Sequence, residues 1–207
     1  MRFARILLGI ACAVLAVLIA RESKGRSDQG IVTVAEQEVV PPGACRVKSL
    51  TGNGVGPIRL GMSVDSIKAL CHVVRDTVQR GLEGMPERTM IVAFPPDMVE
   101  AEIVDGRLWR LDITSPAFRT SDSLGVGSTL SEFLRLDHLQ GLVGEGILVL
   151  ISKQHCGLSF VLSGGTPDRP MQNWTKQALS KLPGSLKVEK VYVLGCSAGI
   201  LGARSQQ

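Results

Sequence analysis

Two pairs of neighbouring cysteine and histidine residues, Cys71-His72 and His155-Cys156, are the parts of this sequence that could do covalent chemistry. A thiolate beside an imidazole is a nucleophile, and the two groups together can bind a soft metal. Successive side chains of a strand point to opposite faces, so His155 is poorly placed to act on Cys156. Neither Cys-x-x-Cys nor His-x-x-x-His spacing occurs. We therefore predict no catalytic, cofactor-binding or metal-binding residues.

Two glycine-rich stretches are also expected to lack catalytic roles. The glycines at 52, 54, 56 and 61 are not followed by the Gly-Lys-Ser/Thr sequence of a phosphate-binding loop. The segment Ser-Gly-Gly-Thr-Pro-Asp at 163–168 does not have the Gly-x-Ser-x-Gly pattern of a hydrolase. Both stretches are predicted to be loops.

Of the five cysteines, Cys12 lies inside an apolar run and is interpreted as a small apolar residue of that run. The other four are Cys45, Cys71, Cys156 and Cys196. An even number of cysteines in an exported chain is typical of disulfides, and four cysteines allow three pairings.

The amino terminus has the layout of an export signal. Arg2 and Arg5 precede an apolar run of about 15 residues, which is short for the roughly 20 residues of a membrane-spanning helix. Leu18 is a poor residue three positions before a cleavage site at Ala20. Residues 1–20 are therefore predicted to be either a cleaved signal peptide or an uncleaved signal anchor. Residues 21–44 are predicted to be a flexible linker and 201–207 a tail.

Composition limits the possible partners. The chain has 207 residues, of which 44% are hydrophobic, 20% are charged and only 4% are aromatic, and its formal net charge is +4. No dense patch of basic residues is interleaved with aromatic residues, which argues against nucleic-acid binding. The core is expected to consist mainly of Val, Leu and Ile.

Two stretches of the chain repeat the same pattern of a glycine, a capping residue and an apolar stripe. Gly61 is followed by Ser63, and Gly127 is followed by Thr129, which are good helix N-caps. Glu132 completes a capping box in the second copy. The apolar stripes are Val64, Ile67 and Leu70 in the first copy and Leu130, Phe133 and Leu134 in the second.

Segments in which apolar and polar residues alternate follow each helix and predict strands, so the expected fold class is α+β. Each of two tandem repeats, 45–120 and 121–200, would be a short helix packed on about four antiparallel strands. An additional helix at 170–182 is predicted inside the second repeat. In the first repeat, a three-residue loop around Gly106 would pair Ala101 with Trp109 and place Trp109 towards the core.

This fold favours one of the three disulfide pairings. If the last two strands of the second repeat pair, Cys156 opens one of them and Cys196 closes its neighbour. We therefore predict a Cys156–Cys196 bond. A Cys45–Cys71 bond would tie the start of the first repeat to the end of its helix.

The stretch Gly-Met-Ser-Val-Asp-Ser-Ile-Lys-Ala-Leu at 61–70 resembles the start of the helix in BamE-type outer-membrane assembly lipoproteins. Two such units in tandem are similar to the beta-lactamase inhibitory proteins. The chain departs from the lipoprotein pattern at Cys71-His72, which stands where Gly-x-Pro is usual, and it lacks the lipidation cysteine. The resemblance implies attachment to a protein partner without catalysis.

Together these features predict an exported protein of the cell envelope that is not an enzyme. It would be periplasmic or membrane-anchored, with its domain outside the cytoplasm, and its partner would be another envelope protein. It would contact the membrane through the N-terminal segment if that segment is uncleaved. Two alternatives remain open: a small-ligand binder with a pocket between the repeats, and an enzyme that uses His138, His155 or a free cysteine.

Overall fold

The computed structural model describes residues 44–80, 86–144, 146–164 and 172–196. The predictions for the export segment, for the linker up to residue 43 and for the tail fall outside these residues. The described chain has twelve strands, three α-helices and one 3₁₀ turn. The strands are β1 Leu50–Thr51, β2 Gly54–Val55, β3 Ile58–Arg59, β4 Val73–Arg80, β5 Pro86–Phe94, β6 Asp97–Val104, β7 Arg107–Ile113, β8 Leu139–Gly144, β9 Ile147–Ser152, β10 Leu158–Leu162, β11 Gln172–Thr175 and β12 Val188–Val193. The helices are α1 Val64–Leu70, α2 Leu130–Phe133 and α3 Lys176–Leu179, and the 3₁₀ turn is Ala44–Arg46.

Nine of these strands form one antiparallel sheet, in the order β11-β8-β9-β10-β12-β7-β6-β5-β4. The strands β1, β2 and β3 form a separate small sheet. The predicted α+β fold of two helix-on-sheet repeats is therefore wrong, because the protein is mainly β. The helices have only seven, four and four residues, which is too little to form a layer of their own.

The sheet is continuous because β7 and β12 pair at its centre. Val191 lies opposite Ile113, and Tyr192 lies opposite Asp112. Two separate repeats would leave the backbone groups of both strands without partners at exposed edges. Joining the two strands removes both edges.

The β6–β7 hairpin contains a bulge that the sequence did not reveal. Its turn is Asp105-Gly106, both with positive φ, and Ile103 pairs with Leu108 while Glu102 pairs with Arg110. Trp109 is the extra residue between these pairs, so the expected pairing of Trp109 with Ala101 is wrong. Leu108 is 2% exposed and Trp109 is 53% exposed. A bulge reverses which residues face the core beyond it, so it buries Leu108 and turns Trp109 outward.

Both glycine turns attach to the final strand of their own half of the sheet. The Gly61 N–H donates to the carbonyl of Leu108, and the Gly127 N–H donates to the carbonyl of Val188. Both glycines have positive φ, 82° and 89°, which favours glycine over other residues. The repeated sequence pattern thus encodes a docking turn and a helix start.

Ser63 and Glu132 cap the first two helices, as expected from the sequence. The Ser63 hydroxyl accepts a hydrogen bond from the Ser66 N–H at 3.2 Å. The Glu132 carboxylate accepts one from the Thr129 N–H at 2.6 Å and one from the Thr129 hydroxyl at 2.8 Å. These bonds hold the pKa of Glu132 below its ordinary value. Ile67 on α1 and Phe133 on α2 are fully buried.

The core lies on one face of the nine-stranded sheet, together with the apolar sides of the helices. Four phenylalanines are fully buried there and pack in two edge-to-face pairs, with ring centres 5.4 Å and 4.7 Å apart. The first pair is Phe94 with Phe118, and the second is Phe133 with Phe160.

The helix predicted at 170–182 is wrong in most of its length. Residues Gln172–Thr175 form β11, which pairs with β8, and within the described part of this range, 172–182, only Lys176–Leu179 are helical. Trp174 lies opposite Gly141, where a Cβ atom would come within 2.8 Å of the Leu179 side chain and 3.2 Å of Trp174. Because Gly141 has no side chain, β11 and α3 can come close to β8 at this point. The spacing of apolar residues in the sequence does not show this effect.

Candidate functional site

The face of the nine-stranded sheet opposite to the core, here called the outer face, carries the candidate site. Its central row consists of Glu100, Asp112 and Tyr192, which lie opposite one another on β6, β7 and β12. Paired residues of adjacent strands project to the same face. Alternation along β7 and β12 places their apolar neighbours Leu111, Ile113, Val191 and Val193 in the core, where each is fully buried.

Arg110 contacts two carboxylates in and beside this row. Its Nε donates to the Asp112 Oδ1 at 2.8 Å, and its Nη2 lies 3.0 Å from the Glu102 Oε2. The second contact is an ion pair without hydrogen-bond geometry, since the Glu102 oxygen has no hydrogen-bond partner. Lys190 Nζ approaches Asp112 from the other half of the sheet, at 3.5 Å. Although burial opposes the charge of Arg110, Asp112 and Glu102 together raise its pKa above the ordinary value.

Tyr192 lies between the two cations. The Arg110 Cζ is 5.1 Å and the Lys190 Nζ is 5.3 Å from the centre of the tyrosine ring. Both distances fall within the range of a cation–π attraction. The half-buried ring is thereby held in place by charged groups from both halves of the sheet.

Apolar side chains continue the outer face across the second half of the sheet. Lys190 lies opposite Val161, which lies opposite Val149, which lies opposite Leu142. Val161 is 4% exposed, whereas Val149 and Leu142 are half-buried. An apolar patch therefore borders the Arg110–Tyr192–Lys190 cluster.

The four cysteines are bonded in the pairing expected from the sequence. Cys45 is joined to Cys71, with their Cα atoms 5.6 Å apart, and Cys156 is joined to Cys196, with their Cα atoms 5.0 Å apart. The reasoning for the second bond also holds, since β10 pairs with β12 and Leu158 lies opposite Val193. Two disulfides are typical of an oxidising compartment.

Histidine and cysteine do not combine into a reactive group in the described residues. All four described cysteines are in disulfides, so a free thiol for the enzyme alternative is not found among them. His155 bonds instead to Asp122, with 3.0 Å between Nε2 and Oδ2, and its ring meets Phe160 edge-on. Burial opposes the charge of Asp122, but hydrogen bonds from Thr120 and His155 hold its pKa below the ordinary value. The pair links the connector before α2 to the β9–β10 turn.

The ligand-binder alternative required a pocket between the two repeats. The two halves of the sheet meet through backbone pairing of β7 with β12, which leaves no gap between those strands. Two depressions are lined by residues of both halves: one of about 460 Å³ on the outer face beside Ile91 and Lys190, and one of about 890 Å³ beside Trp109 and Cys196. Both depressions are open to the surface, and the ligand-binder alternative stays a prediction.

Sequence reasoning missed Arg110, Asp112 and Tyr192 as a group. Alternation did place polar residues of β6 and β7 on the solvent side. Alternation could not show that β7 pairs with β12, because those strands are about 80 residues apart in the chain. The exposed Trp109 was missed for a different reason, namely the bulge.

Among the described residues, no group of His, Cys, Asp and Glu side chains has the arrangement of a metal site. In the same part of the chain, no helix combines the length and apolar character needed to cross a membrane.

Comparison with solved structures gives a weak likeness. The crystal structure of the uncharacterized protein yfeY from Escherichia coli matches with a TM-score of 0.45 and 16% sequence identity, over 70% of this chain and 95% of that chain. No family model and no curated protein matches the sequence.

Proposed function

We propose that this chain is an exported, non-enzymatic protein of the cell envelope that binds another protein through the outer face of its sheet. The observation that carries the proposal is the Tyr192 ring, held between Arg110 and Lys190 beside an apolar patch. Tyrosine and arginine contribute strongly to binding when they lie at the centre of an interface. A ring that is already held in place loses little further freedom on binding.

The same surface defines the chemistry of the partner. The two cations Arg110 and Lys190 lie among three carboxylates, Glu100, Glu102 and Asp112, so the centre of the surface has no large net charge. The adjoining patch is apolar, and its accessible residues are the half-buried Leu142 and Val149. A folded protein with an apolar patch and a polar rim fits this surface better than a strongly charged partner does.

The export part of the proposal is supported by the N-terminal sequence and by the disulfides. Arg2 and Arg5 followed by the apolar run have the order of an export signal. Both disulfides favour a compartment outside the reducing cytoplasm. A periplasmic or membrane-anchored location with the domain outside the cytoplasm satisfies all of these features.

Site-specific crosslinking in the native host tests the proposal. A photoreactive amino acid replaces Val149 in the full chain, and a matched control replaces Val47, which is 58% exposed and lies outside the nine-stranded sheet. We expect a discrete crosslinked envelope protein with the probe at 149 and none with the probe at 47. Equal crosslinking at both positions would contradict the assignment of the outer face.

The captured protein is then purified and its affinity for the full chain is measured. Tyr192→Ala should weaken binding at least tenfold, since truncation of a central aromatic residue typically costs 2 kcal/mol or more. Thr77→Ala, an exposed position on the edge strand β4 at the far side of the outer face, serves as the control. Unchanged affinity of Tyr192→Ala would refute the proposed surface.

A further inference from the structure

The two disulfides differ sharply in their exposure to solvent. Cys45 and Cys71 are 8% and 3% exposed, whereas Cys156 and Cys196 are both exposed. Thiol–disulfide exchange requires direct attack of a thiolate on a sulfur atom, so access limits its rate. Only the second disulfide offers that access in the folded protein.

The backbone around Cys156 and Cys196 is held in place independently of the sulfur–sulfur bond. The Leu194 N–H donates to the Gly157 carbonyl at 2.8 Å, and the flanking strands pair from Leu158 opposite Val193. A Cβ atom on Gly52 would lie 1.7 Å from the Cys156 carbonyl oxygen, so this loop also packs tightly against the first half of the chain. The two cysteines would therefore stay close together after reduction.

The exposed disulfide opens on a depression that a lysine also lines. A depression of about 300 Å³ is lined by both cysteines and also by Lys153 and His138. Positive charge near a sulfur stabilises the thiolate and makes it a better leaving group. Cys196 also lines a second depression, on the side of Trp109, so it can be approached from two directions.

We propose that Cys156–Cys196 is a thiol-exchange site for an external dithiol, and that Cys45–Cys71 is a permanent structural bond. A thiolate of the dithiol attacks the Cys196 sulfur, the Cys156–Cys196 bond breaks, and Cys156 leaves as a thiolate. The second thiol of the dithiol loses its proton to solvent and attacks the mixed disulfide, which releases Cys196 as a thiolate. The dithiol is oxidised to a disulfide and the protein gains two electrons.

Differential alkylation of the native full chain tests the site. The protein is treated with dithiothreitol for increasing times, free thiols are alkylated, and the modified cysteines are identified by mass spectrometry. We expect Cys156 and Cys196 to be alkylated at least tenfold faster than Cys45 and Cys71, with an unchanged far-ultraviolet circular dichroism spectrum. Equal rates for both pairs, or alkylation only together with unfolding, would overturn the proposal.

A limiting amount of glutathione tests the direction of attack. After an acid quench, the mixed disulfide should be found on Cys196, whereas an adduct on Cys156 would overturn the assigned direction. Lys153→Gln should slow reduction severalfold relative to Lys181→Gln, which removes an exposed lysine elsewhere in the chain. Equal rates in the two variants would overturn the role of Lys153.

Discussion

The bulge in β7 leads to a quantitative prediction about two adjacent residues. Leu108 is 2% exposed and Trp109 is 53% exposed, although simple alternation from Leu111 and Ile113 assigns Trp109 to the core. Leu108→Gln removes about 2 kcal/mol of apolar burial and leaves a buried amide that costs a further 1–3 kcal/mol or so. We therefore expect Leu108→Gln to lower the free energy of unfolding by about 4 kcal/mol. Trp109→Gln should cost about 1 kcal/mol, since most of the indole is already in water.

Urea unfolding followed by far-ultraviolet circular dichroism measures both losses, because this signal does not depend on tryptophan fluorescence. In thermal unfolding, these two losses of free energy should lower Tm by roughly 8–16 °C for Leu108→Gln and by roughly 2–4 °C for Trp109→Gln. Leu111→Gln is the control, because Leu111 is fully buried and faces the core with or without the bulge. If Trp109→Gln costs as much as Leu108→Gln, the bulge and the register derived from it are refuted.

Three further predictions concern the caps, the charges and the buried disulfide. Glu132→Ala removes the acceptor for both Thr129 donors at α2 and should cost about 1 kcal/mol in urea unfolding; an unchanged midpoint would contradict the capping role. Arg88 and Lys68 hold the pKa of Asp76 well below its ordinary value. The contribution of these ion pairs to the free energy of unfolding is therefore present above about pH 4 and is lost as the pH falls further. Asp76→Asn should therefore cost about 1 kcal/mol at neutral pH and flatten the acid side of the stability profile, and an equal acid slope in both proteins would contradict this. Replacing Cys45 and Cys71 together by Ser opens a bond of sequence separation 26 and should cost about 3.5 kcal/mol in thermal unfolding, whereas a loss below 1 kcal/mol would show that the bond adds little.

Local features of this protein could be predicted from the sequence because neighbouring residues decide them. Gly61 and Gly127 adopt positive φ, and Ser63 caps α1 through a residue three positions away. Such turns and caps depend on hydrogen bonds within a few residues of the chain. The Cys156–Cys196 bond joins residues 40 positions apart, and it could be predicted only by assuming that the strands beside it pair.

The candidate site depends on contacts between distant parts of the chain. Arg110 and Asp112 come from β7, whereas Lys190 and Tyr192 come from β12, and only the pairing of these strands brings them together. Alternation shows which side chains share a face of one strand, but it does not show which strand lies next to it. The cluster could not be found before the order of the sheet was known.

The amino-acid sequence by itself determined the two glycine turns, the helix starts and the face that most strand residues occupy. The tertiary structure decided that nine of the strands form one sheet instead of two units, and that Trp109 points away from the core. Pairing β7 with β12 satisfies backbone groups along two edges that would otherwise be open, and this gain exists only when both halves are folded. The bulge at Trp109 likewise places Leu108, not the indole, in the core, and the number of residues in a bulge is set by packing across strands.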